Sequence, residues 1–416
     1  KCNSKIEEYV ARQLHLMLGI SFDQEVYASF INTNDVSAIQ LKLKNGKENL
    51  INTTFLKLCS DFLSLNREKL LPKDNLGRVL FSKKQAEEIS LPLLDQEVIK
   101  IRELVEIFLS KNGLNYTKLS YSDGPSVCLT HDVDSLKSNS FLKFFYRLFK
   151  SLSDLDFSGF KTYLKKRSTI FNTHGDIQKF IQIEDDYDFK STYFFLSLPF
   201  FLGREGRRYS INSWRVKKII NSLLNSRYEI GLHMSRKGYA KILVGRREIK
   251  RLQKASAQSS ISGVRNHYLK GNFPKIWNLY EDLFEYDSSL GSGEYLIYRA
   301  GTSNPFEPYD YNLERKLDII EVPLIIMDGA ISGNCEKIFS TVKSHIDIAF
   351  RNKSIITILW HTDRILPDDF TQHSEAYIKI LDYLNQLKFN SLTIPELVGR
   401  YKEYLNKMES NLNIIK

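Results

Sequence analysis

The chain has 416 residues, 42% hydrophobic and 26% charged, a balance that excludes intrinsic disorder and suits one large domain plus a smaller one. Its longest apolar runs, such as 355–360, are strand-sized and far short of the ~20 residues that a membrane helix requires. The formal net charge of +10 invites a nucleic-acid partner, but the basic residues are dispersed and no nucleic-acid motif accompanies them, so none is expected.

Read in chain order, residues 7–18 have helical periodicity and 36–43 read as a strand before the Asn45-Gly46 turn. Helical spacing returns over 96–109. Nothing in 1–120 groups acids, histidines or cysteines at chemical spacing, so this part reads as a smaller α/β accessory domain. A turn at Ser122-Asp123-Gly124-Pro125 marks the break to a second domain, 121–416.

Beyond the break, strand-like runs at 126–132, 191–198, 229–233, 261–267, 318–324, 354–361 and 391–394 alternate with helical patterns. The helices are placed near 216–225, 246–257, 274–284 and 374–387. Such alternation predicts parallel strands joined by crossover helices, an α/β sheet or barrel whose chemistry sits at the carboxyl ends of the strands.

Between the first two of these strands, Lys137, Lys143, Arg147, Lys150, Lys161, Lys165, Lys166 and Arg167 interleave with Phe141, Phe144, Phe145, Tyr146, Leu148 and Phe149. That pattern is an amphipathic basic helix: its bland reading is a packed helix with a solvated side. Its sharper reading is weak contact with an anionic membrane surface or a pyrophosphate-linked substrate. Cys2, Cys59, Cys128 and Cys335 show no CxxC spacing, which fits neither a zinc knuckle nor a disulfide scaffold and favours a reducing compartment. The localisation expected is cytoplasmic, or at the cytoplasmic face of a bacterial membrane.

The strand ends carry the chemistry. The first ends in Thr130-His131-Asp132-Val133-Asp134, and alternation along a strand turns Asp132 and Asp134 the same way and His131 the other. Two carboxylates that close need a cation, an arginine or a shared proton. The third strand ends in His233, the next supplies Arg265 and His267 on one face, and the late strand 354–360 runs into His361. Each is weak alone, since a lone histidine is more often a satisfied polar group and DxD more often a capped turn. Four strand ends from different crossovers, each delivering Asp, His or Arg, are hard to explain as packing.

The ordered motifs Thr130-His131-Asp132-Val133-Asp134, Ser191-Thr192-Tyr193-Phe194-Phe195, Glu229-Ile230-Gly231-Leu232-His233, Arg265-Asn266-His267 and Leu359-Trp360-His361 resemble the polysaccharide deacetylases of the NodB-homology type. The likeness is closest to a branch with an HDVD first motif and an extra N-terminal domain, and it covers about 122–400. It implies a distorted (β/α) barrel, a divalent metal (zinc, with cobalt, nickel or manganese as alternatives) and hydrolysis of an N-acetyl group on a sugar or glycan precursor. By position, Asp132 resembles the general base and Asp134 a metal ligand. His233 matches the first metal histidine, Arg265 the arginine orienting the base, and His361 the general acid. Arg299 and Trp360 are candidates to contact the sugar. Asp328 is a candidate either there or, with Asp363, as the partner of His361. The likeness also implies a role in surface-polysaccharide synthesis.

One position departs from that pattern. The family's second metal histidine, four residues after the first, is replaced here by Lys237, and a protonated lysine cannot ligate a metal. His267 is the favoured replacement, with Ser235 or water as alternatives. The rival readings of the chain are a catalytically silent carbohydrate-binding relative and an O-acetyl esterase or cyclic-amide hydrolase on the same scaffold.

Overall fold

The structure, a computed structural model, describes residues 5–22, 26–32, 37–43, 45–75, 77–134, 136, 175–198, 209–365 and 371–412. The basic aromatic segment 137–167 lies outside them.

The N-terminal part runs α1 (Lys5–Leu18), β1 (Ile20–Phe22), β2 (Val26–Asn32), β3 (Ser37–Leu43), β4 (Glu48–Asn52), α2 (Phe55–Leu63), α3 (Lys83–Glu88), α4 (Leu93–Lys111) and β5 (Tyr116–Lys118). Strands β2, β3 and β4 form an antiparallel meander, closed between β3 and β4 by the turn that Asn45-Gly46 signals. Ser82 starts α3 with a capping box: its hydroxyl accepts from the Gln85 N–H while the Gln85 amide accepts from the Ser82 N–H.

The remainder runs β6 (Ser126–Val133), α5 (Gly175–Asp185), β7 (Ser191–Leu196), α6 (Trp214–Asn225), β8 (Glu229–Met234), α7 (Arg236–Ala240), α8 (Ile242–Ser256), β9 (Gly263–Asn266), α9 (Lys275–Tyr280), β10 (Tyr286–Asp287), β11 (Tyr309–Asp310) and β12 (Arg315–Lys316). It continues through β13 (Ile320–Glu321), β14 (Ile326–Met327), α10 (Cys335–Asn352), β15 (Ile355–Leu359), α11 (Thr371–Gln386), β16 (Asn390–Ser391) and α12 (Ile394–Leu412). Its main sheet follows the order β13-β10-β9-β8-β7-β6-β15-β14, every adjacent pair parallel, with β16 added beside the start of β6. This is a curled parallel sheet of the (β/α) type, the α/β class that strand–helix alternation predicts. Strand β6 is buried over its whole length, which explains why its sequence reads as a continuous run instead of an alternating one.

The register sets the site. Asp132 on β6 lies level with Phe194 on β7, and His233 on β8 is level with Arg265 on β9. Gly231 on β8 is required by close packing, because a Cβ there would come within 2.6 Å of the Phe194 ring. Phe194 in turn lies under the Arg265 guanidinium, 4.5 Å from the ring centroid.

Two differences from the predicted elements have physical causes. The strand predicted at 318–324 is only β13, two residues long, because the chain there exchanges ladder bonds with Phe306 as well as with β10. Helix α10 buries Cys335, Ile338, Val342, Ile346 and Ala349 at three- and four-residue spacing, a helical signal diluted by Ser340, Thr341 and Ser344 between them.

A candidate metal centre and its proton-handling pair

Three ligand atoms converge where β6, β8 and β9 end. Asp134 Oδ1 lies 3.2 Å from His233 Nε2 and 3.4 Å from His267 Nε2. One ligand atom from each of the three residues falls within 4.8 Å of the other two. Asp134 Oδ1 is buried and accepts no hydrogen bond among the described residues. The His233 imidazole donates from Nδ1 to the Arg265 carbonyl at 3.0 Å, which fixes its tautomer and leaves the Nε2 lone pair facing Asp134. A buried carboxylate oxygen between two imidazole nitrogens is a donor set suited to a divalent transition metal.

Electrostatics around the trio follow from burial and neighbours. Burial alone would raise the Asp134 carboxyl, but the close His233 imidazole, then His267 and His361, hold it below the usual carboxylate range. Burial would lower His233, yet Asp132 and Asp134 outweigh it and raise its pKa. His267 stacks on Tyr268 with ring centroids 3.8 Å apart, and Tyr268 and Leu269 both adopt left-handed backbone, φ 62° and 54°. Such conformations in non-glycine residues cost energy and occur where a site is tightly determined.

The replacement at Lys237 is resolved by the backbone. Ser235 caps α7, its hydroxyl accepting from the Gly238 N–H and donating to the buried Glu248, so it is committed away from the metal position. Lys237 is exposed on α7. His267 is the third side chain with a ligand atom within reach of Asp134 and His233.

Asp132 is buried beside this trio, with Oδ2 3.6 Å from His233 Nε2. Arg265 reaches Asp132 Oδ1 at 3.3 Å and is itself held by the Thr130 hydroxyl (2.7 Å), the Ser288 carbonyl (2.8 Å) and the Ser288 hydroxyl (2.7 Å). Thr130 and Ser288 were not singled out from sequence as holders of the arginine. For Thr130 the available signal is its position two residues before Asp132, hence on the same strand face.

Across the rim, His361 Nδ1 meets Asp328 Oδ1 at 2.6 Å, and the His361 backbone N–H donates to Asp328 Oδ2 at 2.9 Å. Burial opposes protonation of His361, but Asp328, then Asp132 and Asp134, dominate and push its pKa up to about 10. Arg364 Nε also contacts Asp328, at 3.3 Å. His131 turns the other way, as strand alternation predicts. Its Nδ1 donates to the Trp360 carbonyl and its Nε2 pairs with the buried Glu184, both at 2.7 Å.

Trp360, Asp328 and Arg299, the candidates for sugar contact, are all buried and engaged within the protein. Trp360 is fully enclosed and packs on Tyr377, with centroids 5.1 Å apart, because alternation on β15 turns it opposite to Leu359 and His361. Asp328 is fully buried and serves His361, not the solvent. Arg299 is buried, its guanidinium taken up by Glu68 and by the Gly291 carbonyl.

No protein-family model and no curated protein matches the chain. Among solved structures it is similar to a protein assigned as a polysaccharide deacetylase from Mycobacterium smegmatis, 15% identical, over 68% of this chain and 93% of that one, TM-score 0.45. It is also similar to PuuE allantoinase, 10% identical, over 66% and 89%, TM-score 0.44. A third is a family 4 acetyl xylan esterase from Clostridium thermocellum in complex with cobalt, 14% identical, over 65% and 89%, TM-score 0.31. The assignment of the fold rests on the strand order above.

Proposed function

We propose that the chain is a metal-dependent hydrolase that removes the N-acetyl group from a sugar in a glycan or glycan precursor. The observation that carries the reading is the convergence of Asp134, His233 and His267 beside the Asp132–Arg265 pair, with protonated His361 on the same rim. Asp134, His233 and His267 would hold a divalent metal, which when bound would supply Lewis-acid polarisation of the acetyl carbonyl and acidify water.

The residues divide the proton work. Asp132, oriented by Arg265, takes a proton from the attacking water. Arg265 is kept planar and fixed by Thr130, Ser288 and the Phe194 ring, so the carboxylate is presented in one orientation. His361 carries a proton at neutral pH and gives it to the sugar nitrogen as the C–N bond breaks, while Asp328 holds the ring and stabilises its charge. The amine and acetate are the products. Burial of Asp132 keeps competing water away from this carboxylate.

The test is elemental analysis of protein purified without added metal, paired with acetate release from N-acetylated oligosaccharides. Near-stoichiometric zinc, cobalt, nickel or manganese is expected in the wild type and is lost in both Asp134→Ala and His267→Ala, along with acetate release. Absence of metal after reconstitution would sink the reading and favour a glycan-binding protein without activity.

A further inference from the structure

Beside the strand-end rim, the N-terminal segment and the loop after β9 enclose a cleft of about 320 Å³. Its charged lining consists of Glu68, Lys69, Lys73, Lys275 and Arg299. Glu68 and Arg299 cancel, since both are buried and joined as a salt bridge that also ties the N-terminal segment to the barrel. Three exposed lysine ammonium groups remain. Lys73 Nζ donates across the cleft to the neutral Asn272 amide oxygen at 2.8 Å, and Lys69 Nζ lies 4.7 Å from the Tyr311 ring centroid. Among the described residues no carboxylate forms an ion pair with any of the three.

Elsewhere on the surface the opposite arrangement recurs. Lys118, Lys190, Lys316, Lys379 and Lys402 each meet a carboxylate. Like charges gathered around one concave wall repel each other and lower the cost of binding an anion there. The lining also includes Val79 and Phe273, apolar surface that suits the face of a sugar ring.

One stretch of chain links the cleft to the candidate centre. The stretch 267–275 supplies His267 to the trio at one end and Gly271 to Lys275 to the cleft at the other. Leu269, between them, packs with Leu324, Leu359 and Met327, the last two directly preceding Trp360-His361 and Asp328.

We propose that the cleft is a subsite for an anionic group carried by the sugar substrate, either a glycosyl phosphate or a uronic-acid carboxylate. The attribution of that group to the substrate rests on the function proposed above; the anion binding itself does not. Both sources present charged oxygens to ammonium donors, and the experiment separates them.

The full chain is titrated with glucose 1-phosphate, glucuronate and neutral glucose by isothermal titration or saturation-transfer NMR, at low and moderate salt. The probe that matches the subsite binds and weakens with salt. Its dissociation constant rises about tenfold or more in the triple variant Lys69→Gln, Lys73→Gln, Lys275→Gln, as expected for removing three partly solvated charge contacts. A second triple, Lys42→Gln, Lys57→Gln, Lys84→Gln, removes the same net charge from exposed positions outside the cleft and leaves binding unchanged. Equal weakening in both triples, or none in the first, overturns the subsite. Acetate release from a neutral N-acetylated oligosaccharide is read in parallel. If anion binding maps to the cleft but no acetate appears, the hydrolase reading falls and the cleft stands; acetate release without anion binding does the reverse.

Discussion

The sheet contains two close pairs of carboxyl groups, and they have been treated in opposite ways. Asp132 and Asp134, at the end of β6, are surrounded by Arg265, His233 and His267. Asp287 on β10 and Glu321 on β13 are also neighbours, paired in register, but they are sealed in the interior. Burial pushes Asp287 up to about 6 against hydrogen bonds from Ser289, and it raises Glu321 further, with the charge of Asp287 adding to it. Trp277 Nε1 and the Leu290 N–H fill the remaining acceptor positions on Glu321, at 2.7 and 3.0 Å. Both carboxyls are thereby shifted towards the protonated form inside the sheet. Burial thus raises the Asp287 and Glu321 carboxyls, whereas at Asp134 the imidazole neighbours outweigh burial and hold the carboxyl below its ordinary range.

The largest expected break in that contrast comes from Asp132→Asn. It removes the proton acceptor and leaves the donor trio intact, so acetate release falls by roughly 10²–10⁴-fold while metal content is retained. Loss of metal together with activity would instead make Asp132 a ligand.

A smaller change is expected from Asp328→Asn. Because Asp328 is the leading contributor that raises His361 above its ordinary value, its neutralisation lowers the His361 pKa from about 10 towards the usual histidine range, about 6.5. The general acid is active when protonated, so the wild-type pH–rate profile declines only as pH rises through about 10. In the variant the alkaline limb moves down by more than one unit, and an unmoved limb would show that another group sets it.

The least change is expected at the sealed pair. Asp287→Asn is a near-isosteric change in a buried carboxyl away from the trio, so metal content and acetate release stay within about twofold. Thermal stability changes by roughly 1 kcal/mol or less, as for a near-isosteric swap in a satisfied network. A loss of activity comparable to that of Asp132→Asn would erase the distinction between the two pairs.

Much of the reactive constellation was legible in the sequence because strand alternation is a local rule. Asp132 and Asp134 had to share a face and His131 had to oppose them, and Arg265 and His267 followed the same logic on the next strand. The same rule would have placed Trp360 in the core, on the face opposite His361; the expectation of a sugar contact gave way to it. Strands β10 and β14 were not legible, because two residues are too few to establish a period and their pairing depends on partners distant in the chain.

Short stretches of sequence carry the alternating parallel α/β plan and the residue types at each strand end, since periodicity and side-chain chemistry are local properties. The tertiary structure alone decided which histidine stands third beside Asp134 and His233, and that Asp328, far from His361 in the chain, holds its ring. It also decided that Arg299 is neutralised by Glu68 of the N-terminal segment, 231 residues away, and that three lysines from two segments face one cleft. Those outcomes depend on strand register and on loops packed against one another. Distances set in that way are fixed by the packing of the whole sheet, and no local stretch of sequence contains them.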